Sequence, residues 1–210
     1  MKILAFTDAH GNLSQINRLE KKSRLCDLTL CAGDYSFFSK DINNLLKRLN
    51  RFKNLYFING NHEATVNTPE IIKKNKLKSL NFIDSEYAFF KDIFLIGFGG
   101  GGFSTKDSDY HKFLMSIDLE KIFAEHAKKN SLKKYVPKYK IFLSHTPPYG
   151  IRSDLVVDEH SGDINLKNFL KNNAFDYCFC GHFHEQFNTI DEIGKTIVIN
   201  PGPKGLILNI

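Results

Sequence analysis

The sequence predicts a mixed α/β sandwich. Its first half alternates short apolar runs, typical of buried strands, with amphipathic segments at helical spacing. Its second half adds a hairpin, two more helices and a closing series of strand-like segments. Histidine, aspartate and asparagine residues stand directly after several predicted strands, which is where open α/β sheets present functional side chains.

In the first half, three predicted strands alternate with three predicted helices. The strands are Ile3–Thr7, Leu28–Ala32 and Leu55–Asn59. The helices are Leu13–Lys22, Asp41–Phe52 and a short segment near Pro69, a residue suited to a first helical turn. Because strands and helices alternate, we expect parallel strands joined by right-handed crossovers.

The second half is richer in strands. Tyr87–Phe90 and Ile93–Gly97 are separated by two polar residues, which favours a hairpin. Helices are predicted at Ser116–Lys129 and Ile164–Asn172, and strands at Lys140–Ser144, Asp176–Cys180, Gln186–Ile190, Thr196–Asn200 and Gly205–Ile210. No linker or repeat interrupts this pattern, so we expect residues 1–210 to form a single domain. The last strand could pair across subunits, but the sequence leaves the oligomeric state open.

The composition indicates a soluble protein with one substantial core, since 42% of the 210 residues are hydrophobic. The formal net charge is +6, from 29 Lys+Arg against 23 Asp+Glu. Without an arginine–aromatic patch, this charge favours a lysine-rich surface over nucleic-acid binding, which stays an alternative. The four cysteines form no Cys-x-x-Cys and are expected as buried free thiols. No apolar run suits a signal peptide or a membrane span, so we expect a cytoplasmic protein.

Two pairs of potential ligands stand near the two ends of the chain. Asp8 and His10 are two residues apart, and so are His182 and His184. In an extended backbone alternate side chains point to the same side, so each pair could bind one centre. Three further candidates follow other predicted strands, namely Asp34, Asn61 and His145.

This ligand set combines imidazole nitrogens with carboxylate and amide oxygens and has no thiolate. Such a set favours Mn, Fe, Zn, Co or Ni over a structural thiolate zinc site, and it has enough members for two divalent ions. Two ions about 3.5–4 Å apart can clamp a phosphoryl oxygen and generate a hydroxide nucleophile near neutral pH. The carboxylate of Asp34 could bridge two such ions.

Other residues could contact a substrate. His62 directly follows Asn61, so in an extended turn His62 would face away from a metal held by Asn61 and could donate a proton to a leaving oxygen. Tyr149 and Arg152 are candidate substrate contacts, with ordinary loop surface as the alternative. The Gly99–Gly102 run is either a phosphate-binding nest or a flexible loop.

Five motifs together resemble those of the calcineurin-like metallophosphoesterases, and they span nearly the whole chain. They are Asp8-Ala9-His10, Gly33-Asp34, Gly60-Asn61-His62-Glu63, His145 and Gly181-His182-Phe183-His184. The resemblance implies a four-layer αββα sandwich of two mixed β-sheets flanked by helices, with His62 as the catalytic histidine. It implies that one metal is held by Asp8, His10, Asp34 and His184. It implies that a second metal is held by Asp34, Asn61, His145 and His182.

Within that family the sequence is similar to the branch related to class III cyclic nucleotide phosphodiesterases. This similarity rests on the stretches 145–150, 181–185 and 200–203. Phe37 stands where many relatives carry a second Asp that steadies the catalytic histidine. The arginines typical of Ser/Thr protein phosphatases are missing from the matching stretches, so that class is disfavoured.

The expected function is therefore hydrolysis of a small phosphate ester, with a phosphodiester favoured, by attack of a metal-bound hydroxide. Manganese is one of the expected ions. One alternative is a non-catalytic metal-binding scaffold for protein interactions, but such relatives usually lose ligands that are all present here. The other is a nuclease, but 210 residues leave little room for the capping domain that such relatives carry.

Overall fold

Two β-sheets packed face to face form the centre of the structure. The computed structural model describes residues 1–100 and 107–210. The strands are β1 (Lys2–Phe6), β2 (Leu28–Cys31), β3 (Leu55–Phe57), β4 (Leu80–Phe82), β5 (Glu86–Phe90), β6 (Ile93–Phe98), β7 (Tyr139–Ser144), β8 (Leu155–Val156), β9 (Glu159–His160), β10 (Tyr177–Phe179), β11 (Ile190–Ile193), β12 (Thr196–Ile199) and β13 (Leu206–Asn209). The helices are α1 (Leu13–Ser23), α2 (Ile42–Leu49), α3 (Thr68–Lys74), α4 (Asp107–Ser116), α5 (Leu119–Lys129) and α6 (Ile164–Asn173).

Both large sheets are mixed. The first has the order β13-β1-β2-β3-β4, in which β1 to β4 are parallel and β13 runs antiparallel to β1 at the edge. The second has the order β11-β12-β10-β7-β6-β5, in which the inner strands are parallel and the edge strands β5 and β11 are antiparallel to their neighbours. A small hairpin of β8 and β9 lies outside both sheets.

The alternation of side chains along the strands creates the layers. In β1, Ile3 and Ala5 pack in the core between the two sheets, whereas Leu4 and Phe6 pack against α1 and α2. The outer face of the second sheet packs against α4, α5 and α6 through a third core cluster. The predicted four-layer sandwich is thus confirmed, and the four cysteines are buried free thiols, as expected.

Asx side chains define where several helices begin. The carbonyl or carboxylate oxygens of Asn12, Asn67, Asp118 and Asp163 accept backbone N–H groups in the first turns of α1, α3, α5 and α6. None of the helices in the described ranges is long and apolar enough to cross a bilayer.

Several sequence predictions differ from the structure. The strand predicted at Gln186–Ile190 is wrong, because Gln186 ends the 3-10 turn His184–Gln186 and β11 begins only at Ile190. The helix predicted from Ser116 begins at Leu119, since Asp118 caps it. The three-residue strand β4, the helix α4 and the β8–β9 hairpin were not predicted, because short or polar segments carry little periodic signal.

Candidate metal centre

Segments that leave the carboxyl ends of five strands meet at one edge of the sandwich. Asp8 follows β1, Asp34 follows β2 and Asn61 follows β3, all in the first sheet. His145 follows β7 and His182 follows β10, both in the second sheet. Both sheets therefore contribute to one site, in the position where α/β sheets present ligands.

Asp8, His10 and His184 form the more exposed group of candidate ligands. His184 Nε2 lies 2.9 Å from His10 Nε2 and 3.5 Å from Asp8 Oδ1. His10 Nε2 lies 3.7 Å from Asp8 Oδ1. These atoms are close enough to bind one metal ion together. Two imidazoles and a carboxylate suit a divalent transition metal.

Asn61, His145 and His182 form the more buried group. Asn61 Oδ1 lies 3.0 Å from His145 Nε2 and 2.9 Å from His182 Nδ1. The ring of His145 is completely buried, and its Nδ1 lies 2.8 Å from the carbonyl oxygen of Ala32. An N–H at Nδ1 donates to that carbonyl, so Nε2 faces the site as a potential ligand.

Asp34 lies between the two groups. Its Oδ2 atom is 4.0 Å from His10 Nε2 and 3.4 Å from His145 Nε2. Of the three clusters in the described residues that could hold a metal ion, two contain Asp34. Its position is therefore compatible with a ligand shared by two ions.

The charges of Asp34 and His145 shift each other's pKa values and that of His182. Burial acts to raise the pKa of Asp34, but the charge and hydrogen bond of His145 lower it to about 2. Burial opposes the charged form of His145, but the Asp34 carboxylate raises its pKa to about 9. Burial, followed by the charge of His145, lowers the pKa of His182 to about 4. The positive charge of protonated His145 thus offsets the negative charge of Asp34. A divalent cation could take the place of that proton, so these side chains fit a metal.

The backbone at four candidate ligands is left-handed, which corrects the extended geometry predicted for the ligand pairs. The φ angles are 52° at Asp8, 44° at His10, 50° at Asp34 and 73° at His182. Such angles are uncommon outside glycine, although Asp, Asn and His tolerate them better than other residues. The chain reverses at these positions as it leaves each strand, and this turns the ligand side chains into the site.

His62 lies in a single turn of 3-10 helix, Asn61–Glu63, and not in the extended turn predicted. Asn61 points to the buried ligand group, whereas His62 Nε2 lies 3.8 Å from Asp34 Oδ2 and its ring lies 4.6 Å from that of His10. His10, Asp34 and His62 also form a cluster that could hold an ion. The geometry therefore allows His62 to be either a ligand or a group that faces the substrate.

The loop after Asp34 holds the imidazole of His62. The backbone N–H of Phe38 donates to His62 Nδ1 at 3.0 Å, and the hydroxyl of Ser39 donates to the carbonyl of His62 at 3.0 Å. Because Nδ1 accepts a hydrogen bond, a neutral His62 carries its proton on Nε2. The resemblance leads one to expect a second Asp at the position of Phe37 to steady the histidine, and in the structure a backbone N–H one residue later binds its imidazole.

Glu63, the last residue of the Gly60-Asn61-His62-Glu63 motif, had no role predicted from the sequence, and in the structure it connects parts of the site. Its buried carboxylate accepts backbone N–H groups of Asp34 (3.0 Å), Ser36 (2.8 Å) and Gly60 (2.9 Å), and also the Ser36 hydroxyl. Burial, reinforced by the charge of Asp34, raises the pKa of Glu63 to about 7, while these donors stabilise its charged form. Glu63 thereby joins the two loops that carry Asp34 and His62. The bond from the N–H of Gly60 to Glu63, three residues later, is the glutamate half of a capping box, and this spacing is the sequence signal for that bond alone.

Two motif glycines permit this close packing. A Cβ at Gly60 would collide with the carboxylate of Asp34, and a Cβ at Gly181 would collide with Thr7 and Asp8. Any other residue at these positions would displace a candidate ligand.

Tyr149 and Arg152 lie on the loop after β7. Tyr149 is 39% exposed and contacts His160 and Lys167, whereas the backbone N–H of Arg152 donates to Asp191 at 3.2 Å. Among the described residues, no hydrogen bond, ion pair or ring contact connects either of them to the candidate ligands. Their role in substrate binding stays a prediction.

Of the two alternatives for Gly99–Gly102, the phosphate-binding nest finds no support in the part that is described. The N–H of Gly99 donates to Asp84 Oδ1 at 2.7 Å, and that of Gly100 donates to the carbonyl of Asn59 at 3.1 Å. Both amides thus have acceptors within the protein, and Gly101 and Gly102 lie outside the described residues.

Comparison with known proteins identifies a family, a sequence relative and similar structures. The sequence model of the calcineurin-like phosphoesterases matches residues 1–186. An uncharacterized protein of Methanocaldococcus jannaschii is 32% identical over 216 residues, which cover 97% of this chain and 89% of that protein. The crystal structure of TT1561 of Thermus thermophilus is similar with a TM-score of 0.72 at 16% identity, over 97% of this chain and 90% of that one.

A structure described as a novel archaeal phosphodiesterase is also similar, with a TM-score of 0.53 at 15% identity, over 96% of this chain and 84% of that one. At such identities the structural similarities show a shared fold. The family match, in contrast, spans most of the chain and includes the five motifs up to His184. The protein therefore belongs to the calcineurin-like phosphoesterases.

Proposed function

We propose that the protein is a two-metal phosphoesterase that prefers phosphodiesters. The observation that carries this proposal is the position of Asp34 between two groups of ligand atoms, with His62 beside it. We assign one ion to Asp8, His10, Asp34 and His184, and the other to Asp34, Asn61, His145 and His182. Divalent ions in these positions supply positive charge to the phosphoryl oxygens and acidify a water nucleophile.

His62 is the proposed general acid. Its Nδ1 accepts the N–H of Phe38, so the proton of the neutral ring is on Nε2, the atom that faces Asp34. A proton donated from Nε2 to the leaving oxygen would assist cleavage of the P–O bond, and the fixed ring orientation favours this transfer. The same atom can stabilise charge on a phosphoryl oxygen before the bond breaks.

The charge of the site supports a diester. A diester carries one negative charge at phosphorus, whereas a monoester dianion carries two and needs more cationic help. Among the described residues, no lysine or arginine side chain forms a hydrogen bond or ion pair with the candidate ligands or with His62. The similar structures include a phosphodiesterase and a putative 5′-nucleotidase, so their names favour neither ester.

Further proposals accompany this function. We propose that residues 1–210 act as one domain, because ligands from both sheets are needed to complete the site. We propose a cytoplasmic location, since four buried free cysteines suit a reducing compartment. The class III cyclic nucleotide phosphodiesterase branch stays a prediction.

The test is a substrate comparison on metal-reconstituted protein. The protein is stripped of metal and then loaded separately with Mn²⁺, Fe²⁺, Zn²⁺, Co²⁺ or Ni²⁺. The values of kcat/KM are measured for bis(p-nitrophenyl) phosphate and for p-nitrophenyl phosphate. We expect a clear advantage for the diester with at least one ion.

A clear advantage for the monoester would overturn the diester preference and leave the metallophosphoesterase assignment in place. Absence of hydrolysis with every ion, although two ions bind, would favour the scaffold alternative. Cleavage of single-stranded DNA at a higher kcat/KM than the small diester would favour the nuclease alternative.

A further inference from the structure

Two exposed aromatic side chains stand at the rim of the candidate site. Phe37 is 53% exposed and Phe38 is 69% exposed, on the loop that follows Asp34. The ring centroid of Phe38 lies 4.1 Å from that of His62 and the two planes are tilted by 32°, while Phe37 lies 5.3 Å from His62 and 6.2 Å from His10. The pair thus contacts both the proposed general acid and a candidate ligand.

The backbone holds these rings outward. Phe38 has a φ of 45° and Ser39 a φ of 60°, which are strained values for residues other than glycine, above all for a bulky aromatic. The loop is kept in this conformation by the hydrogen bonds from Phe38 and Ser39 to His62, and by the N–H of Lys40 donating to the carbonyl of Phe37 at 3.0 Å. Strain that persists next to a site is a feature of functional loops.

The arrangement of the two rings suits a planar partner. Their centroids are 4.9 Å apart and their planes are nearly perpendicular, at 76°, so one ring can offer its face and the other its edge. Aromatic groups favour offset-stacked and edge-to-face contacts of this kind. Because the loop is already ordered by hydrogen bonds, binding to it costs little additional conformational entropy.

We propose that Phe37 and Phe38 form an aromatic platform that binds a planar aromatic group carried by the phosphate ester, either a nucleobase or an aryl ring. The inference rests on the proposed function, since it places the phosphoryl group at the metal centre beside His62. It adds the chemical class of the organic part of the substrate. Stacking of one base on aromatic side chains corresponds to an affinity gain of about 5–150-fold.

The experiment measures binding and not turnover. Calorimetric titration of Mn²⁺-loaded protein compares phenylphosphonate with methylphosphonate, two ligands with C–P bonds that a phosphoesterase does not hydrolyse. A second pair, adenosine 5′-monophosphate and ribose 5-phosphate, differs by the nucleobase, and chromatography checks that both stay intact. The first pair tests an aryl ring and the second a nucleobase, so the two arms distinguish the sources of the aromatic group.

We expect at least one aromatic ligand to bind about 5–150-fold more tightly than its matched partner. Substitution of both rings, Phe37→Ala with Phe38→Ala, should abolish this difference and leave the affinity for the non-aromatic ligands unchanged. The backbone N–H that orients His62 is retained in that variant. Leu25→Ala is the control. It removes a 73% exposed side chain just before the amino end of β2, whereas the site lies past the carboxyl end, and it should keep the difference in affinity.

Equal affinities within both wild-type pairs would overturn the platform. So would an equal loss for aromatic and non-aromatic ligands in the double variant, because the rings would then act on the metal centre alone. Dissociation of a wild-type dimer by the double substitution, measured by light scattering, would instead make the pair a subunit contact. A protein that hydrolyses no ester but still prefers the aromatic ligands would overturn the proposed function and retain the platform.

Discussion

The two ligand groups of the candidate metal centre, here called the buried half (Asn61, His145 and His182) and the exposed half (Asp8, His10 and His184), differ in how firmly the protein holds their side chains. In the buried half, His145 has no exposed surface and its Nδ1 is held by the carbonyl of Ala32. In the exposed half, the side chain of His184 is 53% exposed and its ring packs on Phe187. We infer that the buried half is formed before an ion arrives, whereas the exposed half has freedom to adapt to the ion and the substrate.

Asp34 lies between the two halves, so its substitution should have the largest effect. Asp34→Asn retains the size and the tolerance of a left-handed backbone but removes the charge. We expect both ions to be lost and kcat/KM to fall more than about 10⁴-fold, since each ion contributes several kcal/mol to catalysis. Elemental analysis gives the metal content, and two ions per chain in the variant would disprove the bridging role.

His62→Ala should separate catalysis from metal binding. If Asn61 is the ligand of the buried half and His62 faces the substrate, both ions should stay bound while kcat falls about 10²–10⁴-fold. Metal content and kcat are measured on the same preparation. Loss of one ion would show that His62 is itself a ligand, as its cluster with His10 and Asp34 permits.

Glu63→Gln tests whether hydrogen bonds between loops organise the shared region of the centre. The amide retains one acceptor oxygen, but its NH₂ group would face the backbone N–H donors that now bind the second carboxylate oxygen. We expect metal affinity or activity to fall about 10–100-fold, the usual effect of altering a group that supports ligands. Glu125→Gln on α5, an exposed position, is the matched control and should change neither quantity.

The smallest effects are expected on the stability of the metal-free protein, where one substitution in each half allows a direct comparison. His145→Ala removes a buried imidazole that pairs with Asp34 and should lower the free energy of unfolding by about 1–3 kcal/mol. His184→Ala changes an exposed side chain and should lie within about 0.5 kcal/mol of the wild type. Urea denaturation with a chelator measures both, and a larger loss for His184→Ala would contradict the inference that the buried half is formed before an ion arrives.

The pH dependence of that stability has a defined direction. The pKa of His145 is raised to about 9 in the folded chain from 6.5. Its contribution is therefore complete below pH 6.5 and is lost as the pH rises through about 9. The difference between wild type and His145→Ala should shrink over that window.

The sequence pattern predicted a mixed α/β sandwich and the candidate ligands at its strand ends, and the family resemblance of the motifs predicted the four layers. Short apolar runs located β1, β2, β3, β7 and β10, and each of these strands is followed by a residue that reaches the site. The strand β4 and the helix α4 are missing from the prediction, because the polar Asn81 interrupts the apolar run of β4 and α4 begins with polar residues. Tertiary packing, which local periodicity does not report, stabilises both.

The orientation of His62 could not be predicted for a different reason. The N–H of Phe38 that binds its Nδ1 lies 24 residues away in the chain, and the contact between Glu63 and Asp34 spans 29 residues. Backbone donors leave no signature in residue type, since every residue except proline offers one. Phe37, in place of a second Asp, left open from the sequence what orients His62.

The left-handed backbone at Asp8, His10, Asp34 and His182 has an evolutionary consequence. Asp, Asn and His are the residue types other than glycine that adopt this conformation most readily, and they are also good metal ligands. Selection for the turn and selection for metal binding therefore favour the same few residue types. Drift at these positions should pass among Asp, Asn and His, so that ion preference can change without rebuilding the loops, whereas a change to a β-branched residue would disrupt both the turn and the ligand.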